Sequence, residues 1–171
     1  MVLPVLLALL TPPAEITTLS PEPAPSLTGT SWWNTQVPVK LGGGKVTIVH
    51  FWTFGCSNCQ ANQPVYKAWT EKYRGTNVQI VGIHTPELAS ERKLRNVATY
   101  IRQEKILYPT VFDADSINWT NWRNRFWPAV YIVDKAGKMR YMWEGELRWN
   151  GADGDKQVEA KVAQLRAERP K

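Results

Sequence analysis

The sequence predicts an α/β protein with a central mixed β-sheet flanked by helices on both faces. Two apolar, β-branched runs, Lys45–Trp52 and Val78–Ile83, each precede a helical pattern. A hairpin signature then follows, and a further helical pattern closes the chain. Cys56-Ser57-Asn58-Cys59 falls at the junction between the first run and the first helix, where a helix start presents unpaired N–H groups and the positive end of its dipole.

Each element has a local cause. Lys45–Trp52 is almost continuously apolar, as expected of a strand covered on both faces. Cys59 to Arg74 carries Val65, Ala68, Trp69 and Tyr73 at helical spacing and stops at Gly75, with Pro64 expected to kink it. Val78–Ile83 reads as a second buried strand. Leu94, Val97, Ala98 and Ile101 give a second helix, Thr110–Phe112 a short strand, and Asn118–Arg125 a short helix or turn. Ala129–Val133 and Lys138–Trp143 flank Asp134-Lys135-Ala136-Gly137, a hairpin. The last helix runs from about Asp155 to Glu168, turning Val158, Val162 and Leu165 inward.

Residues 1–28 read as a signal or anchor segment plus a Pro-rich linker, and residues 29–171 as one domain. Val2–Leu10 has the length of a signal-peptide apolar region and is too short to span a bilayer, which takes about 20 residues. It lacks the usual positive flank. Left uncleaved and preceded by further residues, it would be a membrane anchor. Pro21, Pro23 and Pro25 mark an extended linker. The chain is therefore expected outside the cytoplasm, in a periplasm or its equivalent, and as a monomer. With 171 residues, 43 % of them hydrophobic, it can bury a core without disulfide staples. A net charge of +6 is spread among interleaved acids, so nucleic-acid binding is not expected.

Cys56 and Cys59 are the only cysteines. Three residues apart at a helix start, their Cα atoms lie roughly 5–6 Å from each other, within reach of a disulfide. The positive helix end favours a thiolate on Cys56, and thiolate is the form that attacks disulfides. A structural disulfide closing so short a loop would restrain little chain entropy. Zinc needs about four ligands, and only His50 and His84 could add to the cysteines. Neither a metal nor any cofactor is expected beyond the redox-active pair itself.

Phe51 to Cys59, with Pro64 five residues after the second cysteine and Trp127-Pro128 before the next strand, resembles the thioredoxin fold. Val81-Gly82-Ile83-His84-Thr85-Pro86-Glu87 and Asn124 to Ala129 are similar to the TlpA-like, redoxin branch of exported thiol–disulfide oxidoreductases, especially the C-terminal domain of DipZ-type proteins. The resemblance covers roughly residues 32–168. It implies an exposed nucleophile at Cys56, a resolving thiol at Cys59, and a cis Pro128 facing them. It further implies that Trp127 offers backbone groups to an extended client segment. Residues 86–105 look like the branch's extra helical insert, in which an acidic residue approaches the site, making Glu87 the candidate; the alternative is a solvated glutamate at a helix start. Implied partners are protein thiol or disulfide clients and an upstream thiol electron donor.

His50 departs from the pattern, because relatives carry Asp or Asn six residues before the first cysteine. A neutral His50 beneath the helix start would accept the Cys59 proton; the alternative is a core histidine bonded to backbone. Trp52, Trp119, Trp122 and Trp127, four of nine tryptophans, fall at the active-site end, as a client platform or as core. Two other functions stay open. Thr53, three residues before Cys56, is placed as in peroxiredoxins, although Val49 replaces their proline. Cys56, Cys59 and His84 would serve a copper-delivery protein.

Overall fold

The computed structural model describes residues 14–169, so the apolar stretch Val2–Leu10 lies outside the described residues. Strands β1 (Thr17–Pro23), β2 (Trp32–Trp33), β3 (Val46–Trp52), β4 (Val78–His84), β5 (Thr110–Phe112), β6 (Ala129–Val133) and β7 (Lys138–Glu144) form one sheet. Helices α1 (Ser57–Lys72), α2 (Leu94–Gln103), α3 (Ile117–Asn121) and α4 (Gly154–Ala167) complete it. Short 3-10 turns occupy Ala89–Arg92 and Trp149–Gly151.

The sheet runs β1-β7-β6-β3-β4-β5-β2, parallel where β3, β4 and β5 adjoin and antiparallel elsewhere. This is a thioredoxin-like mixed sheet. All seven residues of β3 are buried, which explains its unbroken apolar sequence. Successive side chains alternate between faces. Val46, Ile48 and Trp52 join a core with Tyr66 and Trp69 of α1, Val97 and Ile101 of α2, and Val158 and Leu165 of α4. Val49 and Phe51 join a second core with Trp122 and Tyr131, covered by Trp119 of α3 and by Leu19, Ala24 and Leu27 of the N-terminal chain.

The N-terminal chain corrects one expectation. Residues 17–23 are extended, but they belong to the domain rather than to a linker ending at residue 28. β1 pairs antiparallel with β7, through Thr17 opposite Met142 and Pro23 opposite Lys138, with an irregularity between Thr18 and Glu22. Proline cannot donate to a ladder but is tolerated on an edge strand, and β1 is an edge. Asn118 then clamps Thr28, accepting its N–H at 2.9 Å and donating to its carbonyl at 2.7 Å.

The hairpin between β6 and β7 closes on Asp134, whose carboxylate accepts the N–H groups of Ala136 and Lys138, both at 2.9 Å. Gly137 supplies the left-handed residue at φ 82°. The insert is built as the 3-10 turn Ala89–Arg92 followed by α2. Among the described residues no helix is long and apolar enough to cross a membrane.

Candidate active site

β3 ends beneath the sheet's C-terminal edge, and Thr53 to Gly55 carry the chain over to α1. Cys56 is the N-cap of α1, with extended backbone (φ −90°, ψ 116°), and its Sγ accepts the Cys59 N–H at 3.3 Å. It thus satisfies a donor that a helix start would otherwise leave free. Cys56 is half-buried and Cys59, one turn later, fully buried; both are free thiols.

That difference separates their acidities. The adjacent Cys59 thiol is the largest influence bringing Cys56 down to about 7. The N–H groups of Cys59 and Asn58 act in the same sense, against partial burial and the charge of Glu87. Burial pushes the Cys59 thiol far up, and Cys56 beside it adds to the rise. One sulfur is therefore available as thiolate near neutrality while the other holds its proton.

Trp127-Pro128 is a cis peptide. Because Ala129 of β6 lies opposite Phe51 of β3, Pro128 sits at the end of β3 where the chain turns towards Cys56. The Trp127 ring lies on Trp119 of α3, with ring centres 4.0 Å apart. Of the other two tryptophans expected at this end, Trp52 and Trp122 are buried core residues.

His50 faces α1, as the sequence places it, and packs against aromatic rings there. Its ring stacks on Tyr66 at 3.9 Å and meets the edge of Tyr108 at 4.9 Å. Tyr66 is seven residues beyond Cys59, about two helical turns along α1. Burial alone lowers His50 to about 3, so the ring is neutral, and neither nitrogen has a hydrogen-bond partner among the described residues. The ring is held by stacking rather than by backbone bonds. His84 is buried as well, edge-on to Trp52 at 4.8 Å, and lowered to about 4, chiefly by burial. Among the described residues no group of three or more His, Cys, Asp or Glu side chains could hold a metal ion.

Glu87 is exposed, and its charge raises both cysteines. A second acid of the same segment, Glu91, is fully buried against the turn that leads into α1. Its Oε2 accepts the N–H groups of Glu87 at 2.9 Å and Leu88 at 2.7 Å, and its Oε1 accepts that of Gly55 at 2.5 Å. Burial pushes this carboxyl up, yet the Thr53 hydroxyl nearby and those three N–H groups more than offset it and hold the group below the usual carboxylate range. The signal that would have found it is a glutamate three residues after a turn start, the acidic half of a capping box without the usual Ser or Thr. Asn62 also escaped notice: it accepts the Leu147 N–H at 2.9 Å and donates to the Tyr66 hydroxyl at 3.1 Å.

The chain is similar to known proteins in sequence and in fold. The model of the AhpC/TSA family matches residues 21–142. Protein DipZ of Mycobacterium tuberculosis is 39 % identical over 132 residues, which are 74 % of this chain but 19 % of DipZ, so the chain spans about a fifth of that relative. Thiol-disulfide oxidoreductase YkuV of Bacillus subtilis is 28 % identical across 86 % of this chain and 96 % of its own. The solution structure of a thioredoxin-like protein in the oxidized form superposes with a TM-score of 0.73 at 28 % identity, covering 88 % of this chain and 98 % of that one. A family model spanning most of the domain and a fold match over nearly a whole relative agree: the chain belongs to the AhpC/TSA family, in its TlpA-like redoxin branch.

Proposed function

We propose that this protein is an exported thiol–disulfide oxidoreductase that exchanges disulfides with protein clients through Cys56 and Cys59. The observation that carries the reading is the asymmetry of the pair: a half-exposed N-cap thiol lowered to about 7 above a buried thiol raised far beyond it. YkuV, a thiol-disulfide oxidoreductase by name and matched over almost its whole length, supports the class of activity. Export rests on the apolar stretch Val2–Leu10 ahead of Pro12-Pro13.

In the reducing direction the Cys56 thiolate attacks a client disulfide, forming a mixed disulfide and expelling one client thiolate. Cys59 attacks Cys56 Sγ as its proton passes to the client thiolate expelled in the first step. The Cys56–Cys59 disulfide forms and the second client sulfur leaves as thiolate. Two electrons have passed to the client, and an upstream thiol donor restores the dithiol. Trp127, just before the cis bond, presents its main-chain groups to the client segment beside the cysteine under attack. Pro128 shapes that edge.

Equilibration with glutathione buffers tests the reading: the pair should titrate as one two-electron couple. Cys59→Ser should accumulate mixed disulfides through Cys56. A protein that shows no thiol–disulfide equilibrium, or a variant that traps nothing, overturns it. Peroxide consumption by the reduced protein, with no disulfide exchange, would select the peroxidase alternative.

A further inference from the structure

Glu91 lies 36 residues from Gly55 in sequence, on the insert, and yet its carboxylate reaches the backbone immediately before Cys56. Its two oxygens divide the work. Oε2 takes both N–H groups of its own turn, at Glu87 and Leu88, which is what a local cap would do. Oε1 takes no part in that turn and accepts the Gly55 N–H at 2.5 Å. A cap alone has no use for this second contact. Charge-assisted bonds to buried carboxylates are about twice as strong as neutral ones. Gly55 is fitted to the contact: a Cβ there would meet Leu88 Cδ1 at 2.8 Å and Glu91 Oε1 at 3.0 Å. The residue next to the half-buried thiol is therefore pressed directly against the insert.

We propose that Glu91 is a positioning residue for the dithiol: it latches the insert to the Gly55 N–H and so fixes the backbone that presents Cys56 as the N-cap of α1. The inference rests on the oxidoreductase reading for its purpose, though not for its geometry. With the latch closed, Cys56 Sγ stays over the Cys59 N–H. With it open, the loop before α1 is held by fewer bonds, the N-cap geometry is sampled less, and the thiolate loses its donors.

The test reads the Cys56 thiol itself, by thiolate absorbance and alkylation rate against pH in the reduced protein. No client is involved, so failure here is distinct from failure of disulfide exchange in the unaltered protein. Three variants approach the latch differently. Glu91→Gln keeps the length but leaves one acceptor oxygen for two sets of donors. Glu91→Asp keeps the charge but falls short by a methylene. Gly55→Ala leaves Glu91 intact and wedges the contact open. Each should lower the thiolate fraction at pH 7 at least threefold. Unchanged thiolate fractions with a lowered melting temperature would reduce Glu91 to a cap of its own turn and overturn the proposal. So would a rise with Glu91→Gln alone, which would make the effect one of charge. Should the Glu91 variants fail to fold, Gly55→Ala decides: an unmoved pH profile there overturns the latch.

Discussion

Cys56 and Cys59 are the same residue type three positions apart, yet they differ as acids because one sits at the mouth of α1 and the other beneath it. The thiolate population of Cys56 changes around pH 7, so its alkylation rate should rise steeply between about pH 6 and 8 and then level off. Cys59 should stay unreactive throughout that range, because burial holds its proton. Mass-spectrometric site assignment at several pH values checks this, and equal labelling of the two would refute the assigned roles. The residue scale also marks where sequence reading stops. The two cysteines announce themselves by type and spacing, and the Trp127-Pro128 pair through the family resemblance. Glu91 does not, since one glutamate in a charged stretch, Glu91-Arg92-Lys93, looks solvated until folding carries Gly55 to it.

At the scale of elements, legibility follows burial. β3, β4, α1 and the β6–β7 hairpin are written locally, in β-branched runs, helical spacing and an Asp-Lys-Ala-Gly turn. β1 and β2 are not, because an edge strand takes its structure from the neighbour it pairs with, and prolines in β1 argue for a linker. Joints between elements are equally silent. Asn62 of α1 accepts the buried Leu147 N–H and so ties the segment after β7 to the helix that carries the cysteines. Asn62→Leu keeps the side chain's approximate size but strands that donor. Unfolding in urea should show a loss of about 1–3 kcal/mol, the cost of an unsatisfied buried polar group, with an unchanged m-value. Cys56 alkylation should hold its pH profile, as Asn62 bonds Tyr66, Gly145 and Leu147 and neither cysteine nor the latch. A loss below a few tenths of a kcal/mol would show that water replaces the bond.

For the molecule as a whole, the two buried histidines set a limit on acid tolerance. His50 is lowered to about 3 and His84 to about 4, so both are neutral in the folded protein across the mildly acidic range. Unfolded, each would titrate near its ordinary value of 6.5. Below that value the unfolded chain binds protons that the folded one refuses, so stability must fall as pH falls. The contribution is complete above about pH 7 and is lost progressively from about pH 6.5 towards the folded values. The rings that meet His50, Tyr66 and Tyr108, are pushed up rather than down and stay uncharged throughout, so they cannot offset it. His50→Leu removes one such proton site while keeping an apolar side chain of similar volume in the core. Loss of the stack on Tyr66 lowers stability by a constant amount at every pH. The slope, in contrast, should shrink by up to about 1.4 kcal/mol per pH unit between pH 6 and 4, the linkage of a single proton. Urea unfolding of both proteins at pH 7, 6, 5 and 4.5 measures that difference. Two parallel stability curves would mean that His50 is protonated inside the fold, and its neutrality under α1 would have to be given up.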